Sequence, residues 1–194
     1  MESEKPYKDA SHDADRDALT RLAIRMKRGD RRAASALYDN LLPKVFGFLF
    51  VRTARREVAE DLSHDVFVRL IEKIGAFDER RGSFPVWFWQ MVRHMLVDFY
   101  RKKQEAVFSN FGDDEAEALA LAVPGEDLDE KMKYEKLTIF LKTLTPDERE
   151  LFEYRYVVQM AYREIAELTG RTEGSLRVAT LRIKEKIKKE LKHA

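Results

Sequence analysis

The sequence predicts an all-α protein: two small helical bodies joined by a flexible acidic linker. Three observations carry this prediction. Apolar residues recur at the helical interval in nearly every periodic segment, and the alternating apolar and polar runs of strands are missing. Between residues 104 and 130 stand nine carboxylates without a lysine or arginine, together with Gly112, Pro124 and Gly125, a composition that tethers rather than packs. The expected division is a first body over 18–103, a linker over 104–130 and a second body over 131–192.

The elements follow in order. Residues 1–17 are polar and expected to be loose. A first helix is predicted from about Ala18 to Arg28, stopped by Gly29, and a second from about Arg32 to Arg52, bent at Pro43. The third, from Glu57 to Ile74, stacks Leu62, Val66, Leu70 and Ile74 four residues apart, with Phe67 and Ile71 widening the stripe. Its other face holds Asp61, His64, Asp65, Arg69 and Glu72. Gly75 is expected to end it, and a basic loop runs from Ala76 to Ser83. Pro85 suits the first turn of a fourth helix reaching Lys103, with Phe88, Met91, Met95 and Phe99 inward. Past the linker, Tyr134, Leu137, Leu141 and Leu144 mark another helix. Thr145-Pro146-Asp147-Glu148 reads as a capping box opening a helix through Leu151, Tyr154 and Val158.

The last segment holds the most specific pattern. Ile165 and Ala166 lie on a short helix, Gly170 supplies a left-handed turn, and Leu176, Ile183, Ile187 and Leu191 line a second helix: the spacing of a helix-turn-helix. Ala166 is small where the helices cross, and Leu176 plugs the second onto the first. Overall charge is only +1, yet Arg171 to Lys192 holds eight basic and three acidic residues, a local +5. Arg171, Thr172, Ser175, Arg177, Arg182 and Lys184 are the candidates to meet duplex DNA.

In the first body, Trp87 and Trp89 stand two apart on a helix and cannot both face one core. One of them should join Phe77, Arg80, Arg81, Gln90, Arg93, His94 and Arg101 as aromatic surface interleaved with positive charge, the combination that holds unstacked bases. The candidate on this reading is Trp89.

The chain has no cysteine, which excludes disulfides and thiolate ligands. Its longest apolar stretch, Leu41 to Val51, is broken by Pro43 and Lys44 and is too short to span a membrane. A cytoplasmic protein without membrane insertion, cofactor or metal is expected.

Ala59-Glu60-Asp61-Leu62-Ser63-His64-Asp65-Val66-Phe67, then Gly82-Ser83-Phe84 and Trp87, then Glu173-Gly174-Ser175-Leu176-Arg177 in the hairpin, resemble regions two and four of extracytoplasmic-function (group IV) RNA polymerase sigma factors. The likeness runs from about Ala18 to Leu191 and has both regions in the right order. It implies a monomeric binding protein rather than an enzyme. Asp61, His64, Asp65, Arg69 and Glu72 would dock on core RNA polymerase, and the Phe77–Ser83 loop with the Trp87–Arg101 helix would read and melt the promoter element near the start site, holding the non-template strand. The basic hairpin would read the upstream element as duplex, the linker would thread toward the polymerase's RNA exit path, and an anti-sigma factor would be a further partner. Departures from the family pattern are His64 where Gln is frequent, Gln90 and His94 where Arg and Asn are common, and Val178-Ala179 in place of a polar Ser-Arg pair.

Two other readings compete. A helix-turn-helix regulator binding duplex DNA as a dimer would explain the hairpin and leave the Phe77–Arg101 cluster without a role. A metal-dependent helical enzyme would need Asp61, His64 and Asp65 as ligands, against a chain with four scattered histidines and no glycine-rich phosphate loop.

Overall fold

The computed structural model describes residues 9–109, 137 and 139–193. No strand occurs among them. The first body comprises α1 (Asp9–Lys27), α2 (Arg31–Thr53), α3 (Arg56–Lys73), a 3₁₀ turn (Ile74–Ala76) and α4 (Phe84–Ser109). The second comprises α5 (Pro146–Phe152), a π-helical turn (Glu153–Val157), α6 (Tyr162–Thr169) and α7 (Glu173–His193).

Local chemistry sets most boundaries. Asp30 caps α2, accepting from the Arg32 and Ala33 amides at 2.9 and 3.1 Å, and Arg25 clamps its other oxygen. That guanidinium, then the amides, hold the Asp30 carboxyl below its ordinary value. Pro43 lies inside α2. The capping box at Thr145 is present in both directions, with Thr145 donating to Glu148 from its amide and accepting from the Glu148 amide. Lys186 of α7 reaches the same Glu148 carboxylate, pulling its pKa down and tying the last helix to the start of α5.

Several boundaries differ from the sequence reading. α1 begins nine residues earlier than Ala18, at Asp9, and α4 continues past Lys103 to Ser109, into the stretch expected to be the acidic linker. Its residues 110–130, and Tyr134 of the next expected helix, lie outside the described residues. Gly75 does not end α3 by a left-handed turn; the chain tightens into the 3₁₀ turn, and the Phe77 amide bonds the Ile74 carbonyl at 3.1 Å. The helix opened by the capping box widens after Phe152 into a π turn. That extra residue per turn lets three consecutive side chains, Glu153, Tyr154 and Arg155, all point inward.

The largest difference is that the two bodies are docked. One apolar core runs from Ala23 through α2 and α4 to Tyr154, Leu176 and Ile183. At the junction Phe48 stacks on Tyr154, ring centroids 5.7 Å apart, and meets the edge of Trp89 at 5.4 Å. Gly47 makes this approach possible: a Cβ there would come within 3.1 Å of Val157. Burial raises the Tyr154 phenol to about 12. The Glu153 side chain is fully buried and receives Arg52 of α2 at 2.5 Å and Arg149 at 3.2 Å, while Arg149 also donates to the Val51 carbonyl at 3.0 Å.

Candidate nucleic-acid interfaces

The loop between the 3₁₀ turn and α4 is built to stay open. Asp78 accepts from the Arg80 amide and guanidinium, both at 3.1 Å, and its carbonyl takes the Arg81 amide at 3.0 Å, which closes a turn and keeps the Asp78 carboxyl ionised below its ordinary range. Lys27 of α1 donates to the Phe77 carbonyl at 2.6 Å, and Thr20 accepts from the Phe84 amide at 3.3 Å. The loop is thus braced at both ends by α1.

Behind it lies a cavity of about 360 Å³ lined by Phe77, Asp78, Arg81, Gly82, Ser83, Val86, Trp87 and Gln90. Ser83 is buried there, and its hydroxyl has no hydrogen-bond partner. Such a group is costly to leave unsatisfied unless something visits it. Trp87 packs on Phe77 and Phe84, centroids 5.5 and 5.9 Å away, and is only partly buried, so it offers the cavity an aromatic wall. A second groove beside the loop is lined by Lys27, Arg28 and Arg80 together with Asp78 and Glu79.

Two residues placed on this surface by the sequence reading belong to the core instead. Phe77 and Trp89 are 1% and 2% exposed. Phe77 supports Trp87 from beneath, and Trp89 packs on Phe48 and Phe88. The helical interval explains the swap: Phe88 packs on Phe67 of α3 and Trp89 on Phe48 of α2, which turns Trp87 toward the loop. Arg80, Arg81, Gln90, Arg93, His94 and Arg101 are all exposed.

The second body covers part of this surface. Glu167 of α6 lines the cavity, its carboxylate 3.3 Å from where a Gly82 Cβ would lie, and it pairs with Arg16 at 3.8 Å. Glu150 pairs with Arg93 at 3.3 Å. Carboxylates therefore occupy two places on the surface expected to hold a single strand. Sequence reasoning missed both, since nothing in the local pattern marks Glu150 or Glu167.

The hairpin forms as its spacing predicts. Gly170 adopts φ 73°, its amide bonding the Ala166 carbonyl at 2.9 Å, and Leu176 is fully buried. Thr172 starts α7 by accepting from the Ser175 amide at 3.2 Å, while the Ser175 hydroxyl donates to the Thr172 carbonyl at 2.8 Å. Tyr162 lies between two guanidiniums, Arg155 at 4.3 Å and Arg177 at 4.6 Å from its ring centroid, and Arg177 also pairs with Glu173 at 3.2 Å. Arg182 and Lys184 are exposed, and Arg171 partly so.

On α3, Asp61, His64, Asp65, Arg69 and Glu72 are exposed together on one face, with Val68 and Ile71 exposed beside them and an Arg69–Glu72 pair at 3.1 Å. Among the described residues, no group of three or more His, Asp or Glu side chains is placed to hold a metal ion, and no helix is long and apolar enough to cross a membrane.

Comparison with known proteins bears on both interfaces. The family model of Sigma-70 region 2 matches residues 37–106, and that of Sigma-70, region 4, matches residues 135–187. The chain is 22% identical to ECF RNA polymerase sigma factor BldN of Streptomyces coelicolor over 88% of its own length and 64% of BldN's. It is 29% identical to ECF RNA polymerase sigma factor RpoE of Cereibacter sphaeroides, covering 87% of this chain and 91% of that one. In three dimensions it resembles the sigma factor RpoE of Bartonella quintana, solved with the anti-sigma factor NepR, at a TM-score of 0.58 and 19% identity, over 81% of this chain and 96% of that chain.

Proposed function

Since this chain belongs to the extracytoplasmic-function sigma factors, which direct promoter-specific initiation by RNA polymerase, we propose how its two bodies divide that work. The first body captures the melted non-template strand of the downstream promoter element, and the cavity beside Trp87 takes one unpaired base. The observation that carries this is the cavity walled by Trp87 and lined by Arg81, Gln90 and Ser83, whose buried hydroxyl has no partner. A base entering there stacks on Trp87 beside Arg81 and Gln90, while Arg80, Arg93 and Arg101 follow the phosphates. The second body reads the upstream element as duplex, with α7 in the major groove and Arg171, Thr172, Ser175, Arg177, Arg182 and Lys184 around it.

The polar face of α3, from Asp61 to Glu72, docks on core polymerase. An anti-sigma factor is a second partner, as in the Bartonella complex, and the protein works in the cytoplasm without catalysing a reaction of its own. In the docked arrangement Glu150 and Glu167 hold places that DNA would take, so strand capture requires polymerase to draw the bodies apart.

The test is reconstitution: purified chain with core RNA polymerase, transcribing a pool of promoter fragments. Initiation at a selected subset, dependent on the chain, is the expected result. A chain that ignores polymerase and retains a specific duplex as a dimer would instead be the helix-turn-helix regulator.

A further inference from the structure

The recognition helix α7 carries a front that its charged flanks do not explain. Leu176, Thr180 and Ile183 are buried against the rest of the hairpin. At about 100° per residue, the line diametrically opposite them holds Gly174, Val178, Leu181 and Glu185. Val178 is 51% exposed and Leu181 61% exposed, and they stay open although the two bodies are docked. Arg177 and Arg182 stand on either side of this line, and the helix starts from the basic Arg171 turn. An apolar ridge between two cationic flanks fits a polyanion whose centre is apolar at particular points. A uniformly apolar protein surface fits less well, since covering the ridge would take charged side chains on both flanks out of water.

We propose that Val178 and Leu181 give this sigma factor a preference for thymines in the upstream promoter element, by packing on their C5 methyl groups in the major groove. The inference rests on the reading that α7 enters that groove. In such docking, base edges meet the front of the helix and phosphates its sides. Neither Val nor Leu can donate or accept a hydrogen bond, and thymine alone offers the major groove a methyl group. Gly174, where an added Cβ would meet nothing within 4 Å, sets no side chain between the helix and the bases one turn earlier.

Uracil tests the proposal because it keeps every pairing and groove hydrogen-bonding group of thymine and lacks only the methyl. Holoenzyme is bound to its selected promoter, and each upstream thymine is replaced singly by uracil. At one or two positions affinity should fall about fourfold, the worth of one buried methyl-sized group. Val178→Ser or Leu181→Ser should lower affinity for the thymine promoter by a similar factor and become indifferent to uracil at the matching position. Both side chains are exposed, so thermal unfolding of these variants should match the parent. If upstream sequence still governs binding but every uracil is neutral, or if the serine variants keep the full uracil penalty, methyl reading is wrong while groove docking stands. If binding ignores upstream sequence altogether, the docking of α7 itself fails, and this proposal falls with it.

Discussion

Phe48→Ala should unfold about 3–5 kcal/mol more easily than the parent chain, the largest loss expected of any single truncation at the junction. Phe48 is 1% exposed and touches both bodies at once, stacked on Tyr154 and edge-on to Trp89, with the Arg52 guanidinium 5.6 Å above its ring. Removing the ring opens a cavity bounded by rigid aromatics and helix backbone, which cannot collapse cheaply. Denaturant unfolding of the full chain measures the loss. Ile71→Ala, at a residue 67% exposed on α3, is the control and should stay within about 0.5 kcal/mol of the parent. A Phe48→Ala protein as stable as that control would mean that the bodies do not dock in solution.

Arg52→Ala should lose about 3 kcal/mol near neutral pH, at the lower end for breaking a buried ion pair because Arg149 still holds the Glu153 carboxylate. The loss should depend on pH in a stated direction. Burial raises the Glu153 carboxyl above its ordinary range, against the pull of Arg52 and then Arg149. A carboxyl raised in the folded state holds its proton more tightly there than in the unfolded chain, so its contribution favours folding in acid and is lost as pH rises through the folded value. Without Arg52 the folded value climbs further. The deficit of the variant is therefore full above that value and shrinks as pH falls through it, which unfolding curves at neutral and mildly acidic pH would reveal. Arg52 and Phe48 touch, so the double variant should lose less than the two singles together.

Much of this architecture was legible because it is written locally. The capping box at Thr145, the left-handed Gly170 and the plug at Leu176 each need only a few neighbouring residues, and all three form. The docking was not legible for a physical reason. No local pattern marks Glu153 and Arg155 as buried, and a widened turn aims them inward toward partners that include Arg52, 101 residues away in sequence. Periodicity likewise told that Trp87 and Trp89 could not share a face, but the choice between them depended on how α4 packs against the other helices. Of the surface proposed to capture the strand, the charged members were readable from composition. The cavity, the unsatisfied Ser83 hydroxyl and the two intruding carboxylates are products of tertiary packing.

An abasic scan of the downstream strand tests base capture in the cavity beside Trp87 most directly. Holoenzyme is bound to a forked promoter whose downstream element is already single-stranded, and each base of that strand is removed in turn. One position should lose roughly 5- to 150-fold in affinity, the range for a single stacked base, and in Trp87→Ala holoenzyme the ratio of intact to abasic DNA at that position should approach one. A penalty spread evenly along the strand, or an unchanged ratio in the Trp87→Ala protein, would contradict base capture at this site.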